Sequence, residues 1–233
     1  MAPVTETVTI DGRFNGPAGS GNGGYTCGVL ARELGGEAEV TLRRPPPLDR
    51  PLALVREGER ICLLDGDLLV AECCAGRTGL DPPAPPSLAE AEEAVRRYPG
   101  FVEHAFPTCF VCGPDRSDGL RIFAGPVDGR DVVAAPWIPA DSLGDEGGRV
   151  AEELVWAALD CPGAFAVGFS ERGETVLGRM TARIDARPRV GERHVVVAWS
   201  LGEEGRKLYA GTALFTESGD LLGLARQTWI VPR

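Results

Sequence analysis

The sequence contains almost no lysine and very little histidine. Lys207 is the single lysine, so the other 23 of the 24 basic residues are arginines, and His104 and His194 are the only histidines in 233 residues. We attribute the preference for arginine to coding bias rather than to function. With two histidines so far apart in the chain, neither belongs to a pair with metal-ligand spacing.

Three further features are absent, and each absence excludes a location or a class of partner. No run of 18 apolar residues is present, so we expect no membrane-spanning helix. The net charge is −10 and the arginines form no basic cluster, which argues against nucleic acid and anionic membranes as partners. The first ten residues lack the basic and apolar regions of a secretory signal. We therefore expect a cytoplasmic protein.

The seven cysteines are odd in number, as is typical of reduced thiols in the cytosol. Cys109-x-x-Cys112 is their single motif, and it fits a structural zinc site, a redox dithiol or buried turn cysteines. Zinc needs two more ligands, and the adjacent Cys73 and Cys74 are poor chelators of one ion. Cys161 lacks a histidine nearby in sequence that could activate it as a nucleophile. We therefore expect neither a metal site nor a cofactor.

A proline-rich segment divides the chain. Residues 76–87 read GRTGLDPPAPPS, a composition unsuited to regular structure. Ser87 then begins a short surface helix, with Glu90 completing a capping box. We predict a first repeat over residues 1–75, a linker with this helix over 76–105, and a second repeat over 106–233.

The two halves share an order of elements and some residues. Gly66-Asp67-Leu68-Leu69 and Gly219-Asp220-Leu221-Leu222 are the same tetrapeptide, and each is placed at the last hairpin turn of its half. Thr41-x-Arg43 and Thr181-x-Arg183 each lie in the first long strand after a helix, at an offset of 140 residues. Duplication explains these matches better than chance.

Each half is predicted as a strand, a Gly-Gly pair, a helix and a run of strands. The second helix contains Leu154–Leu159, which is apolar on every side and must therefore be buried. A sheet that wraps around this helix satisfies the requirement. The helices are predicted near 25–34 and from about 151 to 160 or 166, and the strands near 4–10, 37–43, 52–57, 60–65, 68–74, 119–127, 175–185, 193–202, 206–216 and 221–231.

This order, with its motifs, resembles the hotdog fold in tandem, a double hotdog of class α+β. Cys109–Pro114 followed by Gly119-Leu120 is similar to the opening of hotdog acyl-CoA thioesterases of the phenylacetate-pathway type. Asn22-Gly23-Gly24-Tyr25 resembles their His-Gly-Gly turn, with asparagine replacing histidine. Trp156–Asp160 resembles the part of the central helix that carries the catalytic carboxylate. The resemblance implies a site between the halves and an acyl-CoA substrate.

Thioester hydrolysis needs donors for an oxyanion, and the start of a helix supplies free N–H groups and a positive dipole end. We therefore predict Gly23, Gly24 and Tyr25 as substrate-binding or oxyanion residues. Asn22 is a candidate for orienting the thioester or a water. As a turn residue that tolerates left-handed geometry, it also has a purely structural explanation.

The hydrolysis also needs a carboxylate that activates water or attacks directly. Asp160 is the first candidate, because a buried aspartate in an apolar helix is costly unless it is paired or functional. Glu153 is the second, as general base, although first-turn carboxylates are usually solvated. The matching position of the first half holds Ala31 or Arg32 and no acid.

We predict an acyl-CoA hydrolase. The chief alternative is a non-catalytic binder of acyl thioesters or small ligands, and a third is a structural, oligomer-forming protein. Related hydratases use an aspartate with a histidine five residues later, a pattern absent here. Hotdog units usually associate, so a homo-oligomer is also expected.

Overall fold

The computed structural model describes residues 4–169 and 173–232. Within them, one antiparallel sheet of eleven strands curves around two of three α-helices. The helices are α1 (Gly23–Leu34), α2 (Leu88–Val95) and α3 (Glu152–Ala166). The strands are β1 (Val4–Thr9), β2 (Ala38–Leu42), β3 (Pro51–Glu57), β4 (Arg60–Asp65), β5 (Leu68–Ala75), β6 (Gly125–Pro126), β7 (Val133–Trp137), β8 (Val176–Ile184), β9 (His194–Glu204), β10 (Lys207–Thr216) and β11 (Leu221–Ile230).

The strand order is the same in both halves of the sheet. It runs β1-β3-β4-β5-β2 and then β8-β11-β10-β9-β7-β6, so β7 to β11 repeat the arrangement of β1 to β5 about a central β2–β8 pair. At that pair Val40 lies opposite Met180. The two Gly-Asp-Leu-Leu segments form the β4–β5 and β10–β11 turns, as predicted, with positive φ at Gly66 and Gly219.

The helices α1 and α3 run in opposite directions, and they pack against each other and against the sheet. Gly24 of α1 lies against Trp156 and Ala157 of α3, and Gly28 lies against the earlier Glu153. Trp156 is fully buried, as are most of its neighbours on α3. The prediction of a central buried helix is therefore confirmed.

The short helix α2 is also confirmed, together with its capping box at Ser87 and Glu90. It covers β7 through the buried Ala91 and Ala94. Among the described residues, no helix is long and apolar enough to cross a membrane.

The strand predicted near 119–127 is wrong for most of its length. Only Gly125–Pro126 pairs in the sheet, as β6. Arg121 has a φ of 56°, which breaks an extended strand. The N–H groups of Leu120 and Ile122 donate to the carbonyl oxygens of Phe110 and Val111, in the cysteine-containing loop, instead of to a strand. The short strand β7, which contains Pro136, was not predicted from the sequence.

Candidate active site

A cavity of about 410 Å³ opens where the start of α1 meets the middle of α3, and its volume is typical of small-molecule pockets. One part of its wall is polar and includes Asn22 and Asp160. The rest is mostly apolar. Its apolar and aromatic wall residues include Leu42, Phe106, Ala164, Phe165, Phe169, Val176, Leu177, Trp229 and Ile230.

The carboxylate of Asp160 is the main polar group of the cavity. Its Oδ2 accepts hydrogen bonds from the Gly24 N–H at 2.8 Å and from Asn22 Nδ2 at 3.0 Å. Its Oδ1 has no hydrogen-bond partner among the described residues. The residue is only 2% exposed, so one carboxylate oxygen is fixed by hydrogen bonds and the other is buried without a partner among the described residues.

Burial raises the pKa of Asp160 to about 7, because the charged form loses its water. The hydrogen bonds from Gly24 and Asn22 oppose the rise, and the neighbouring Cys109 adds to it. The carboxyl group therefore exchanges its proton near neutrality. Such a pKa suits a group that takes up and returns a proton.

The side chain of Asn22 joins the start of α1 to α3. Its Oδ1 caps α1 by accepting a hydrogen bond from the Tyr25 N–H at 2.9 Å, while its Nδ2 donates to Asp160. One amide therefore performs both tasks and holds the carboxylate at the helix start. Asn22 is 2% exposed and lies in the cavity wall.

The three predicted oxyanion donors are brought to the site, but two are already engaged. The Gly24 N–H donates to Asp160 and the Tyr25 N–H donates to Asn22. The N–H of Gly23 has no acceptor among the described residues, and Gly23 lies in the cavity wall. The Tyr25 ring stacks on Phe14, with 4.0 Å between ring centroids.

Glycine is required at position 24 for the close approach of the two helices. A Cβ there would lie 2.4 Å from the Cβ of Asp160 and 2.7 Å from the Trp156 carbonyl oxygen. Any side chain would push α3 away and lengthen the hydrogen bond between Gly24 and Asp160. The Gly-Gly pair seen in the sequence therefore has a steric reason at its second residue.

Glu153 lies apart from this site, in the first turn of α3. Its carboxylate is 3.4 Å from the Arg32 guanidinium, and its backbone packs on Gly28. It is absent from the cavity wall. The structure therefore brings Asn22, Gly24 and Asp160 together and places Glu153 elsewhere.

Sequence reasoning missed Gln227 of β11. Its Nε2 donates to the carbonyl oxygens of Leu159 and Asp160 at 2.6 and 3.0 Å, and its Oε1 accepts from Trp229 Nε1. Gln227 is fully buried and fixes the backbone of α3 at Asp160. The signal for it was its place in a predicted strand between Ala225 and Trp229, where the alternation of side chains gives all three residues the same face.

Three buried cysteines, Cys109, Cys112 and Cys161, also line the cavity. Their sulfur atoms lie within 4.8 Å of one another. This is the set of described residues that is suited to holding a metal ion. Cys109 and Cys112 are paired by their sequence motif, whereas Cys161 was not predicted to lie beside them.

The chain matches no protein-family model and no curated protein sequence. Solved structures do match over most of its length. A TesB protein of Mycobacterium avium subsp. paratuberculosis matches with a TM-score of 0.63 at 15% identity, over 97% of this chain and 92% of that chain. A protein of unknown function with hot dog fold from Alicyclobacillus acidocaldarius gives 0.58 at 12% identity, over 97% and 92%.

The chain has a hotdog fold. An acyl-CoA thioesterase II, TesB2 of Mycobacterium marinum, also matches, with a TM-score of 0.52 at 13% identity over 84% of this chain and 80% of that chain. The α+β hotdog fold inferred from the sequence motifs is thereby confirmed. At these identities the similarity establishes the fold alone, and the chemistry has to be argued from the residues.

Proposed function

We propose that this chain is a double hotdog protein that hydrolyses acyl thioesters, with acyl-CoA as the substrate class and Asp160 as the catalytic residue. One observation carries the proposal: a buried carboxylate lines a small-molecule cavity, with one oxygen held and the other without a protein partner. A carboxylate in that state is suited to removing a proton from water.

The register of the sheet supports the duplication. The two Thr-x-Arg motifs place Val40 and Met180 at equivalent positions, 140 residues apart in the chain. These two residues lie directly opposite each other in the β2–β8 pair. A pseudo-twofold axis that relates the halves would pass between them. The repeated strand order is the second support, and the predicted boundaries at 75 and 105 are compatible with both.

In the proposed reaction, Asp160 Oδ1 accepts a proton from a water as its oxygen attacks the thioester carbonyl carbon. The carbonyl oxygen becomes an oxyanion, which the Gly23 N–H and the positive end of the α1 dipole stabilise. The carbon–sulfur bond then breaks and the thiolate leaves. Asp160 returns the proton to the sulfur, so that a carboxylic acid and a free thiol are released.

We propose one working site per chain. At the other end of the helix pair, the start of α3 lies beside the end of α1, where Arg32 contacts Glu153. Ala31 stands where a second carboxylate would be needed, as the sequence predicted. Asp160 has no counterpart there.

The composition of the cavity wall suggests where each part of the substrate binds. Phe106, Phe165 and Phe169 form an aromatic part, with Phe165 and Phe169 ring centroids 5.3 Å apart, which suits an apolar acyl group. Arg43 and Arg44 lie in the same wall. We propose that Arg44 contacts the anionic part of coenzyme A, because Arg43 is already paired with Glu72.

The alternative is an acyl-thioester binding protein without catalysis. This alternative is favoured because two of the three expected oxyanion donors, the N–H groups of Gly24 and Tyr25, already donate to protein side chains. A binder would use the same cavity and would release no thiol.

Replacement of Asp160 by asparagine distinguishes the two functions. Asp160→Asn keeps an acceptor for Gly24 but loses the base, so we expect thiol release from acyl-CoA to fall at least about a hundredfold. Binding of a non-hydrolysable thioether analogue, measured by calorimetry, should persist. The matched control is Asp185→Asn, an exposed aspartate outside the cavity wall, which should retain wild-type turnover. Equal turnover by wild type and Asp160→Asn would contradict the assignment.

A further inference from the structure

Cys109, Cys112 and Cys161 form a cluster that hydrolysis does not use. The sulfur atoms of Cys109 and Cys161 are 3.7 Å apart, and all three sulfur atoms lie within 4.8 Å of one another. Zinc–sulfur bonds of about 2.3 Å in a tetrahedron place sulfur atoms about 3.8 Å apart. The separation of Cys109 and Cys161 therefore already fits a shared ion.

The loop that carries the first two cysteines is a tight turn held by its own backbone hydrogen bonds. The Gly113 N–H donates a hydrogen bond to the Cys109 carbonyl oxygen at 2.9 Å and closes the turn. A Cβ at Gly113 would lie 2.5 Å from the Cys109 nitrogen, so glycine is required there. This tight turn keeps the Cys109 and Cys112 sulfur atoms within 4.8 Å of each other.

Neighbouring groups hold the cluster in place. The Tyr98 hydroxyl donates to the Cys112 carbonyl oxygen at 2.8 Å and anchors the loop from the linker. Cys161 is held in place by α3. Its sulfur accepts a weak hydrogen bond from Asn22 Nδ2 at 3.8 Å.

We propose that Cys109, Cys112 and Cys161 bind one soft divalent cation, zinc first among them, as three thiolate ligands. Soft thiolate sets select zinc over magnesium or calcium. Zinc sites with three protein ligands keep a fourth position for a water or another small ligand. Because all three cysteines line the cavity, such a ligand can reach the ion from there.

The ion would cross-link two parts of the chain that are distant in sequence. It would tie the 109–113 loop to α3 beside Asp160, and so restrain the wall of the cavity. The inference stands on the thiol geometry alone and does not depend on thioester hydrolysis.

Metal content tests the proposal directly. The full chain, reduced with a phosphine and cleared of metal by a chelator, is equilibrated with zinc and desalted. We expect one zinc per chain by elemental analysis. With Co²⁺ we expect sulfur-to-cobalt charge-transfer absorption and the visible bands of a tetrahedral site. Cys109→Ser, Cys112→Ser and Cys161→Ser should each lose both signals. Cys74→Ser, a half-buried cysteine outside the cluster, should keep them.

A measurement on the wild-type chain removes the dependence on variants that fold. Zinc should slow alkylation of Cys109, Cys112 and Cys161 relative to the chelated protein, as mapped by peptide mass spectrometry, and leave Cys74 unchanged. Substoichiometric zinc, together with alkylation that zinc does not alter, would overturn the proposal. The three residues would then be neutral thiols packed against one another.

Discussion

Asp160 is a residue whose placement costs stability. Removing a carboxylate from water is unfavourable unless hydrogen bonds compensate, and here they reach only one of its two oxygens. Natural chains retain such groups where their chemistry is used. The cost of burying this carboxylate therefore supports the proposal that Asp160 is the catalytic residue.

Arg44 tests the assignment of the cavity wall to coenzyme A. Arg44→Ala removes one cation from the wall, so we expect KM for acyl-CoA to rise about tenfold, equivalent to about 1.4 kcal/mol. KM for the matching N-acetylcysteamine thioester, which has no phosphate, should stay unchanged. Steady-state thiol release measures both.

The control for this change is Arg193→Ala, since Arg193 is exposed, pairs with Glu217 and is absent from the cavity wall. If Arg44→Ala raised KM similarly for acyl-CoA and for the N-acetylcysteamine thioester, Arg44 would shape the cavity and would not bind the anionic part of coenzyme A.

Some residues of the site could be predicted from the sequence and some could not. Asn22 and Asp160 were predicted because a glycine pair before a helix and an acid within an apolar helix are local signals. Cys161 was not joined to Cys109, because they are 52 residues apart and meet only after folding. Glu153 was a reasonable candidate by position, but the pairing of α1 with α3 places it beside Arg32.

At the scale of elements, the contact between α1 and α3 determines the site. Both helices pass each other closely because Gly24 and Gly28 lie at the crossing. The approach brings the Gly24 N–H within 2.8 Å of Asp160 Oδ2. A wider spacing would separate the carboxylate from the start of α1.

Gly28→Ala tests this contact without touching the cavity. The new Cβ would lie 2.5 Å from the Glu153 Cα, a backbone atom that cannot move independently of α3. Overpacking of this kind costs about 1–3 kcal/mol, which outweighs the gain of about 1 kcal/mol in helix propensity. We expect a lower free energy of unfolding in urea.

The control is Gly147→Ala in an exposed turn, where the Cβ would meet only an Asp145 carboxylate oxygen at 3.3 Å. Its free energy of unfolding should stay within about 0.5 kcal/mol of wild type. Equal stability of Gly28→Ala and wild type would mean that the helices can separate at no cost.

The fold was predicted best where local patterning agrees with the final contacts. In strands β8 to β11, polar and apolar residues alternate or turn residues mark the ends. The predicted ranges of these strands agree with the structure to within two residues. The segment 119–124, which is apolar apart from Arg121, misled the prediction because its apolar side chains are buried in an irregular loop. Its hydrogen bonds go to the cysteine loop, a partner that periodicity does not reveal.

At the scale of the whole molecule, the two halves share one sheet and one pair of central helices. The β2–β8 pair joins the sheet, and α1 of the first half packs on α3 of the second. The close contact between α1 and α3 covers a face of each helix with the helix of the other half. We therefore expect the halves to unfold together.

Two probes located in different halves can test this cooperativity. All four tryptophans lie after residue 106, whereas Cys27 is fully buried in α1. Tryptophan fluorescence and pulsed alkylation of Cys27 should give the same midpoint in urea. Two separated midpoints would show that the halves fold as independent units.

The proposed function depends on whether a thioester is hydrolysed in the cavity beside Asp160. The most direct measurement is thiol release from short, long and aromatic acyl-CoAs by wild type and Asp160→Asn, side by side. We predict turnover by wild type, strongest for acyl groups that fit the aromatic wall, and a loss of at least about a hundredfold in the variant. Absence of turnover across the panel, with tight binding of the same thioesters, would contradict hydrolysis and identify a binding protein.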